Sequence, residues 1–281
     1  MIDRNLAAAL VTCVALLESP GAWAGFVSYS AAGAAPASIV STRDDFRTAV
    51  GGGTVAGANG SFGGVRREIN WDGVPNSLAD PNLLPADFFN TTSPRGVVFS
   101  TPGTGFLVSA NAGFATPTLF GFSSDFQPFS AQRLFTAVGS NITDVRFFTP
   151  GTAVVATTSA FAAIFVDVEV AGLTKIEYFD ASDALLFAQD ALVAGNQGMS
   201  FLGAVANGGE RIGRVRITSG LNSILSNGAL ANPNDDVVVM DDFLFAEPLL
   251  QNSVPEPSSL PLAALGLAAS LAVLRRRGQG L

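Results

Sequence analysis

The sequence predicts an all-β fold, an antiparallel β-sandwich or jelly-roll-like single domain over residues 25–253. Short apolar segments recur along the chain, and stretches rich in Gly, Pro, Asn and Asp separate them. Residues 161–170 (FAAIFVDVEV) alternate with a period of two, which places Ile164, Val166, Val168 and Val170 inward and Asp167 and Glu169 outward. The chain has 22 phenylalanines, which we assign to the core.

The N-terminal part of this domain contains few strand signals. Residues 25–38 are small and polar and predict a flexible lead-in. Ser41 followed by the acids of residues 44–45 predicts the N-cap and first turn of a short helix, which the glycines of residues 51–53 end. Residues 57–90 are rich in Gly, Pro and Asn and predict loops, with one strand at 67–71.

Strand signals dominate after residue 95. We expect residues 96–100 (GVVFS) and 105–109 (GFLVS) to form a hairpin through the turn sequence between them. A second strand pair is predicted for 175–179 (KIEYF) and 185–187, joined through 180–183 (DASD). The remaining strands are predicted at 211–218 and 237–245.

Three features stand in fixed order in the C-terminal segment, residues 254–281. A Pro-Glu-Pro tripeptide precedes an uncharged apolar run, and a cluster of three arginines follows it. The run at 260–274 would form a helix of roughly 22 Å, against a hydrocarbon core of about 30 Å, and the preceding serines extend it to 258–274. We therefore predict one transmembrane helix there, with the arginines on the cytoplasmic side and the tripeptide outside.

This arrangement resembles the PEP-CTERM sorting signal of Gram-negative bacteria. The resemblance implies recognition by a membrane-embedded exosortase, transient anchoring through the helix, and delivery to the cell surface or the extracellular matrix. The alternative is an ordinary C-terminal membrane anchor with a chance tripeptide. The residues that carry the resemblance are Pro255, Glu256, Pro257, Arg275, Arg276 and Arg277.

Residues 1–24 have the pattern of a secretory signal peptide. Arg4 gives a positive start, residues 6–17 are apolar, and Ala22 and Ala24 form a small-x-small cleavage site before Gly25. We expect these residues to be absent from the mature protein.

Composition excludes several classes of activity. The one cysteine, Cys13, lies in the predicted signal peptide, and the chain has no histidine. These absences exclude Ser-His-Asp and Cys-His catalysis, His-ligated zinc and disulfides in the mature protein. The net charge of −8 makes nucleic acid an unsuitable partner.

Several phrases of the mature region are similar to a group of secreted bacterial proteins of unassigned function, many of which carry the same kind of tail. This resemblance supports the architecture and implies no activity. The phrases lie at 69–76 (INWDGVPN), 93–106 (SPRGVVFSTPGTGF), 132–148, 208–217 (GGERIGRVRI) and 237–243 (VVVMDDF).

Acidic residues near the end of the domain raise the possibility of a structural calcium site. Asp235 and Asp236 precede the last predicted strand, and Asp241 and Asp242 lie within it. Hard oxygen ligands suit calcium, but a turn with solvated acids explains the same pattern. Because neighbouring residues of a strand point to opposite faces, at most one of Asp241 and Asp242 is expected in any one site. We predict no other cofactor.

Side-chain type indicates two candidate binding surfaces. Trp71, beside Asp72, is the one candidate for an exposed glycan platform, with a partly buried anchor as the alternative. Arg211, Arg214 and Arg216 predict either cross-strand pairing with acids such as Asp167 or Glu169, or contact with an anion.

The sequence thus predicts an exported, exosortase-sorted surface or matrix protein with a structural or adhesive role in exopolysaccharide or biofilm. A glycan-binding module is the first alternative. A hydrolase that uses two carboxylates is the second, but no sequence signature marks such a pair, so we expect no enzymatic activity. The expected partners are exosortase, the membrane before processing, and extracellular polysaccharide.

Overall fold

The computed structural model describes residues 25–113 and 116–250. The predicted signal peptide, the transmembrane helix and the sorting residues lie outside this part of the chain. The strands are β1 (Phe26–Gly33), β2 (Ser61–Phe62), β3 (Arg66–Ile69), β4 (Val97–Ser100), β5 (Gly105–Val108), β6 (Phe135–Val138), β7 (Ile142–Phe147), β8 (Ala156–Thr157), β9 (Ala160–Val166), β10 (Lys175–Phe179), β11 (Leu185–Asp190), β12 (Met199–Ala206), β13 (Arg214–Thr218), β14 (Val239–Ala246) and β15 (Leu249–Leu250). The helices are α1 (Ala37–Ala49) and α2 (Phe88–Thr91), with 3-10 turns at Ala58–Gly60, Asn76–Leu78 and Leu119–Gly121.

The strands form two main sheets, in which every pair is antiparallel. The large sheet has the order β1-β12-β9-β14-β3-β2, and β6 pairs with β14 and carries β5. The small sheet has the order β11-β10-β13-β7-β4, and β8 pairs with β15 apart from both. The prediction of an all-β, antiparallel fold is confirmed.

A common apolar core joins the two sheets. Phe147 of the small sheet has its ring centroid 5.8 Å from that of Phe245 in the large sheet. The Tyr178 hydroxyl of the small sheet donates a hydrogen bond of 3.0 Å to the carbonyl of Phe161 in the large sheet. The sheets therefore face each other across one layer of buried side chains, dominated by phenylalanine.

The large sheet also buries its outer face, and helix α1 covers part of it. Phe46 of α1 is fully buried, with its ring centroid 5.8 Å from that of Phe201 in β12. A Cβ added to Gly203, also in β12, would lie 3.1 Å from the Phe46 ring and 2.5 Å from the Cβ of Ala162. The absence of a side chain at Gly203 thus lets the helix approach the sheet.

The faces predicted for 161–170 hold for Val168, which is buried, and Glu169, which is exposed, but they are wrong for Asp167 and Val170. Phe161 and Phe165 face the shared core, whereas Ile164 and Val166 contribute to the cluster beneath α1. The strand ends at Val166, and the next residues are not its continuation. Asp167 has a positive φ of 74° and is buried, while Val170 is exposed.

The N-terminal boundaries differ from the predicted ones. The predicted lead-in contains β1, which pairs with β12 along its whole length. Helix α1 begins at Ala37 after Pro36, so Ser41 lies inside the helix and is not its N-cap. The predicted end at residues 51–53 is confirmed, since the Gly51 N–H donates to the Thr48 carbonyl.

One of the two predicted hairpins is wrong. β4 pairs with β7 in the small sheet and β5 pairs with β6 in the large sheet, so residues 101–104 cross between sheets. The other hairpin is confirmed: β10 pairs with β11, and the Asp180 carboxylate accepts hydrogen bonds from the N–H groups of Ser182 and Ala184 in the turn.

Candidate functional site

The described domain meets the predicted signal peptide at Gly25. The Gly25 N–H donates a hydrogen bond of 2.6 Å to Oε1 of Glu210, in the loop that follows β12. The Gly25 carbonyl accepts a hydrogen bond of 2.8 Å from the N–H of Asn207. The structure thus fixes the first residue after the predicted cleavage site, whereas Ala22 and Ala24 lie outside the described residues.

The domain meets the sorting segment at β15. Leu250 pairs with Ala156 of β8, and five residues later the chain reaches Pro255, which cannot lie more than about 18 Å from Leu250. Beside this exit lies an apolar group that we call the exit patch, whose side chains are all more than half exposed. It consists of Val154, Val155, Leu249 and Leu250.

Both junctions lie at the same end of the domain. Arg211, the neighbour of Glu210, donates from Nε to Oγ1 of Thr157 over 2.9 Å. Thr157 in turn pairs with Leu249 of β15. The loop that holds Gly25 is therefore connected to the partner of the exit strand by the Arg211 side chain and by backbone pairing of Ile212 with Thr158.

Strand β14 contains two neighbouring buried carboxylates, Asp241 and Asp242, which we call the acidic bulge. Met240 pairs with Phe165 and Phe243 pairs with Ala163, so both aspartates oppose one residue of β9. Such a β-bulge breaks the alternation of side chains. The expectation that the two aspartates point to opposite faces is therefore wrong.

One hydroxyl group joins the two carboxylates. Ser130 Oγ lies 3.1 Å from Oδ1 of Asp241 and 3.0 Å from Oδ1 of Asp242. The N–H of Phe129 donates a hydrogen bond of 2.6 Å to Oδ2 of Asp241. Asp241 is fully buried and Asp242 is 6% exposed, so a dissolved substrate has little access to either carboxylate.

Burial controls the ionisation of this pair. It raises the pKa of Asp241 well above the ordinary value, and the charge of Asp242 raises it further. Burial also raises the pKa of Asp242 to about 6, against hydrogen bonds with Asp241 and Ser130 that lower it. Two close, buried carboxylates resist ionising together, so the pair titrates as a unit at a higher pH than two free aspartates.

The other two acids of the calcium hypothesis are elsewhere. Asp235 and Asp236 lie in the loop before β14, where Asp235 accepts a hydrogen bond of 2.6 Å from the side-chain amide of Asn232. Within residues 25–113 and 116–250, no three acidic side chains are grouped so that they could hold a metal ion. The four aspartates therefore do not form the single site that their spacing allowed.

Asp167 is a buried acid whose environment the sequence did not reveal. Burial raises its pKa to about 7, and the charges of Glu169, Asp236 and Asp125 act in the same direction. Its Oδ1 accepts a hydrogen bond of 2.9 Å from the N–H of Gln197, which opposes the shift. A positive φ after the strand turns this side chain inward, and no periodic pattern predicts that.

Trp71 is a buried anchor and not an exposed platform. It is 1% exposed, and its ring stacks on that of Phe135 with centroids 4.0 Å apart. Its indole N–H donates a hydrogen bond of 2.7 Å to the carbonyl of Asp241. The candidate glycan platform is therefore wrong at this residue, and the indole holds the acidic bulge in place.

Arg214 and Arg216 form cross-strand ion pairs, as predicted, but with different acids, whereas Arg211 bonds to Thr157. Arg214 and Arg216 both contact the carboxylate of Asp144 in β7, at 2.9 and 2.8 Å. Arg214 also contacts Asp183 at 2.7 Å. The predicted partners, Asp167 and Glu169, lie beyond the end of β9 in the other sheet.

Comparison with known proteins identifies the C-terminal segment. Residues 253–277 match the PEP-CTERM protein-sorting motif, which confirms the resemblance of the tail. No curated protein matches the chain, and the similarity of the mature region to secreted bacterial proteins stays a prediction. Among the helices of the described part, none is long and apolar enough to cross a membrane. The motif indicates exosortase-dependent sorting to the cell surface, with transient anchoring in the membrane.

Proposed function

We propose that this chain is a structural or adhesive protein of the cell surface or extracellular matrix, and that exosortase processing delivers its β-sandwich domain there. The sorting motif at 253–277 carries the proposal. It begins within three residues of β15, the last described strand, so only the seven residues 251–257 separate the domain from the predicted membrane helix.

The chemistry of the described domain favours a structural role over catalysis. The pair of carboxylates in the acidic bulge lies in the core and is shielded from substrates. The arginines of the small sheet are paired with Asp144 and Asp183. We therefore propose no enzymatic activity, which predicts no turnover when the purified chain is incubated with the exopolysaccharide of its own host.

The proposed partners are exosortase, the membrane during transit, and extracellular polysaccharide. The polysaccharide contact is tested by co-sedimentation of the purified protein with the exopolysaccharide of its host. Retention in the pellet supports an adhesive role, and complete recovery in the supernatant contradicts it. Deletion of the gene should weaken the matrix if the role is structural.

The decisive experiment is the mass of the C-terminal peptide of the protein from native cells and from their extracellular matrix. We expect a matrix form that ends near Pro255 to Pro257, with or without an added group. A chain that ends at Leu281 and occurs only in membranes would reduce the tail to a plain anchor. A matched variant, Pro255→Ala with Pro257→Ala, should lose processing without a change in domain stability.

A further inference from the structure

We propose that removal of residues 1–24 creates a structural ion pair between the new α-ammonium group of Gly25 and the carboxylate of Glu210. The nitrogen and Oε1 of Glu210 are already 2.6 Å apart. Hydrolysis of the Ala24–Gly25 bond adds the hydroxyl of water to the Ala24 carbonyl and a hydrogen to the Gly25 nitrogen. The resulting amine takes up a proton at neutral pH, since an α-amino group has a pKa of about 7.7–8.0.

The loop after β12 forms a small binding site for this chain end. Oε1 of Glu210 accepts from Gly25, and Oε2 accepts a hydrogen bond of 3.0 Å from the N–H of Gly208. The Asn207 N–H binds the Gly25 carbonyl, so the residue is held on both sides of its Cα. One carboxylate thus bridges the loop to the first residue of the predicted mature chain.

The site also favours glycine at its first position. A Cβ on Gly25 would lie 2.4 Å from Oδ1 of Asn207 and 3.3 Å from the nitrogen of Gly208. The next residue, Phe26, begins the regular pairing of β1 with Ala206 of β12. The regular pairing of β1 therefore begins one residue after Gly25, the first residue of the predicted mature chain.

Cleavage changes the strength of the contact and not its position. Before cleavage the nitrogen is an amide with a single hydrogen, and the bond to Glu210 is an ordinary charge-to-amide bond. After cleavage the nitrogen carries a full positive charge, so the attraction between two opposite charges is added to the hydrogen bond. Among the described residues, no Lys or Arg forms an ion pair with Glu210, so this ammonium would be its cationic partner. Maturation would thereby stabilise the edge strand β1 on the large sheet.

The chain offers a direct chemical measurement of this pair. Lys175 is the only lysine, so an amine-specific acylating reagent has two targets in the mature protein, the α-amine and Lys175. The full chain is exported from a Gram-negative host, its N-terminus is sequenced, and the two acylation rates are measured at pH 7 by peptide mass. We expect an N-terminus at Gly25 and an α-amine that reacts several-fold faster in Glu210→Gln than in the wild type, with Lys175 unchanged.

Thermal unfolding separates the ion pair from the hydrogen bond. We expect Glu210→Gln to lower the Tm of the mature protein by about 2–4 °C, and to have a smaller effect in an uncleaved chain made with Ala22→Leu and Ala24→Leu. Asp190→Asn, a substitution of an exposed carboxylate at the end of β11, should leave the Tm within about 1 °C. If Glu210→Gln does not fold, Glu210→Asp keeps the charge and should give an intermediate acylation rate.

Three results would overturn the proposal: a mature N-terminus at another residue, equal α-amine reactivity with and without Glu210, or the same loss of Tm in cleaved and uncleaved chains. None of them bears on processing at the C-terminal tripeptide, so the proposed function would be unaffected.

Discussion

At the scale of single residues, the acidic bulge shows how backbone register controls chemistry. Two neighbouring aspartates would be separated by a regular strand, yet one extra residue opposite β9 brings both to Ser130. Trp71 reinforces this arrangement by binding the carbonyl of Asp241. The result is a buried pair of carboxylates whose pKa values are both raised.

This ionisation predicts that stability falls as pH rises. The pKa values of Asp241 and Asp242 are raised in the folded state, so the folded protein holds protons that the unfolded chain releases above about pH 4. Asp167, with a pKa of about 7, acts in the same direction. We expect the Tm to decrease between about pH 4.5 and 7.5, as measured by calorimetry in matched buffers.

The substitution Asp242→Asn isolates the contribution of the bulge. Asparagine keeps a side chain that can bond Asp241 and Ser130 but cannot ionise. We expect it to stabilise the domain by about 1–3 kcal/mol at pH 8 and to have little effect at pH 4.5. The control Asp190→Asn should retain the wild-type dependence on pH. An unchanged slope in Asp242→Asn would show that the pair does not control it.

A second prediction at this scale concerns the anchor beneath the bulge. Trp71→Phe removes the hydrogen bond to the Asp241 carbonyl and leaves that buried acceptor without its partner, so we expect a loss of about 1–3 kcal/mol. Chemical denaturation followed by circular dichroism measures it. Tyr29→Phe, which removes a hydroxyl from a partly exposed ring, should change stability by less than about 0.5 kcal/mol. Equal stability of Trp71→Phe and wild type would contradict the anchoring role.

At the scale of elements, the docking of α1 on the large sheet depends on a small residue in β12. A methyl group at Gly203 would clash with the Cβ of Ala162, which cannot move without its backbone, and would lie too close to the Phe46 ring. We expect Gly203→Ala to destabilise the domain by about 1–3 kcal/mol, the usual cost of overpacking a core. The control Gly73→Ala adds a methyl where no atom lies within 4 Å, and it should be close to neutral in a denaturation experiment. Equal effects of the two substitutions would rule out close packing at Gly203.

Local signals account for the elements that the sequence predicted well. The β10–β11 hairpin was predictable because its turn is stabilised locally: the Asp180 carboxylate accepts hydrogen bonds from backbone N–H groups of the same turn. The β4–β5 connection has equally good turn residues, yet its strands belong to different sheets, and only pairing with distant β6 and β7 decides this. Likewise β1 has weak strand propensity and is set by eight partners in β12.

At the scale of the whole molecule, the sorting signal was the most predictable part. Its three features are defined by residue type and order within one short segment, so they can be identified from the sequence without knowledge of tertiary contacts. The acidic bulge and the Glu210 contact could not be predicted, because each joins residues more than a hundred positions apart, such as Asp241 with Ser130 or Gly25 with Glu210.

The junctions with the signal peptide and with the sorting segment lie at one end of the domain, which would therefore be close to the membrane in the anchored protein. The predicted membrane helix begins at residue 258, so about 30 Å of extended chain at most separates it from Leu250. The exit patch surrounds Leu250, and no other part of the described domain covers its four exposed apolar side chains. We therefore expect the exit patch to face the bilayer while the tail is intact.

This orientation can be measured with single cysteines, because Cys13, the only native one, lies in the predicted signal peptide and is expected to be absent from the mature protein. The uncleaved tail is reconstituted in vesicles with Val155→Cys, carrying a polarity-sensitive fluorophore, and the control is Leu221→Cys. Leu221 is about equally exposed. It follows the C-terminal end of β13, whereas Ile212, before the N-terminal end of the same strand, bonds to Thr158 beside the exit patch. We expect a blue shift for the label at Val155 and not at Leu221, because only the first would contact the lipid surface. Identical spectra at the two positions would mean that the domain has no preferred orientation, and that the exit patch is simply solvent-exposed.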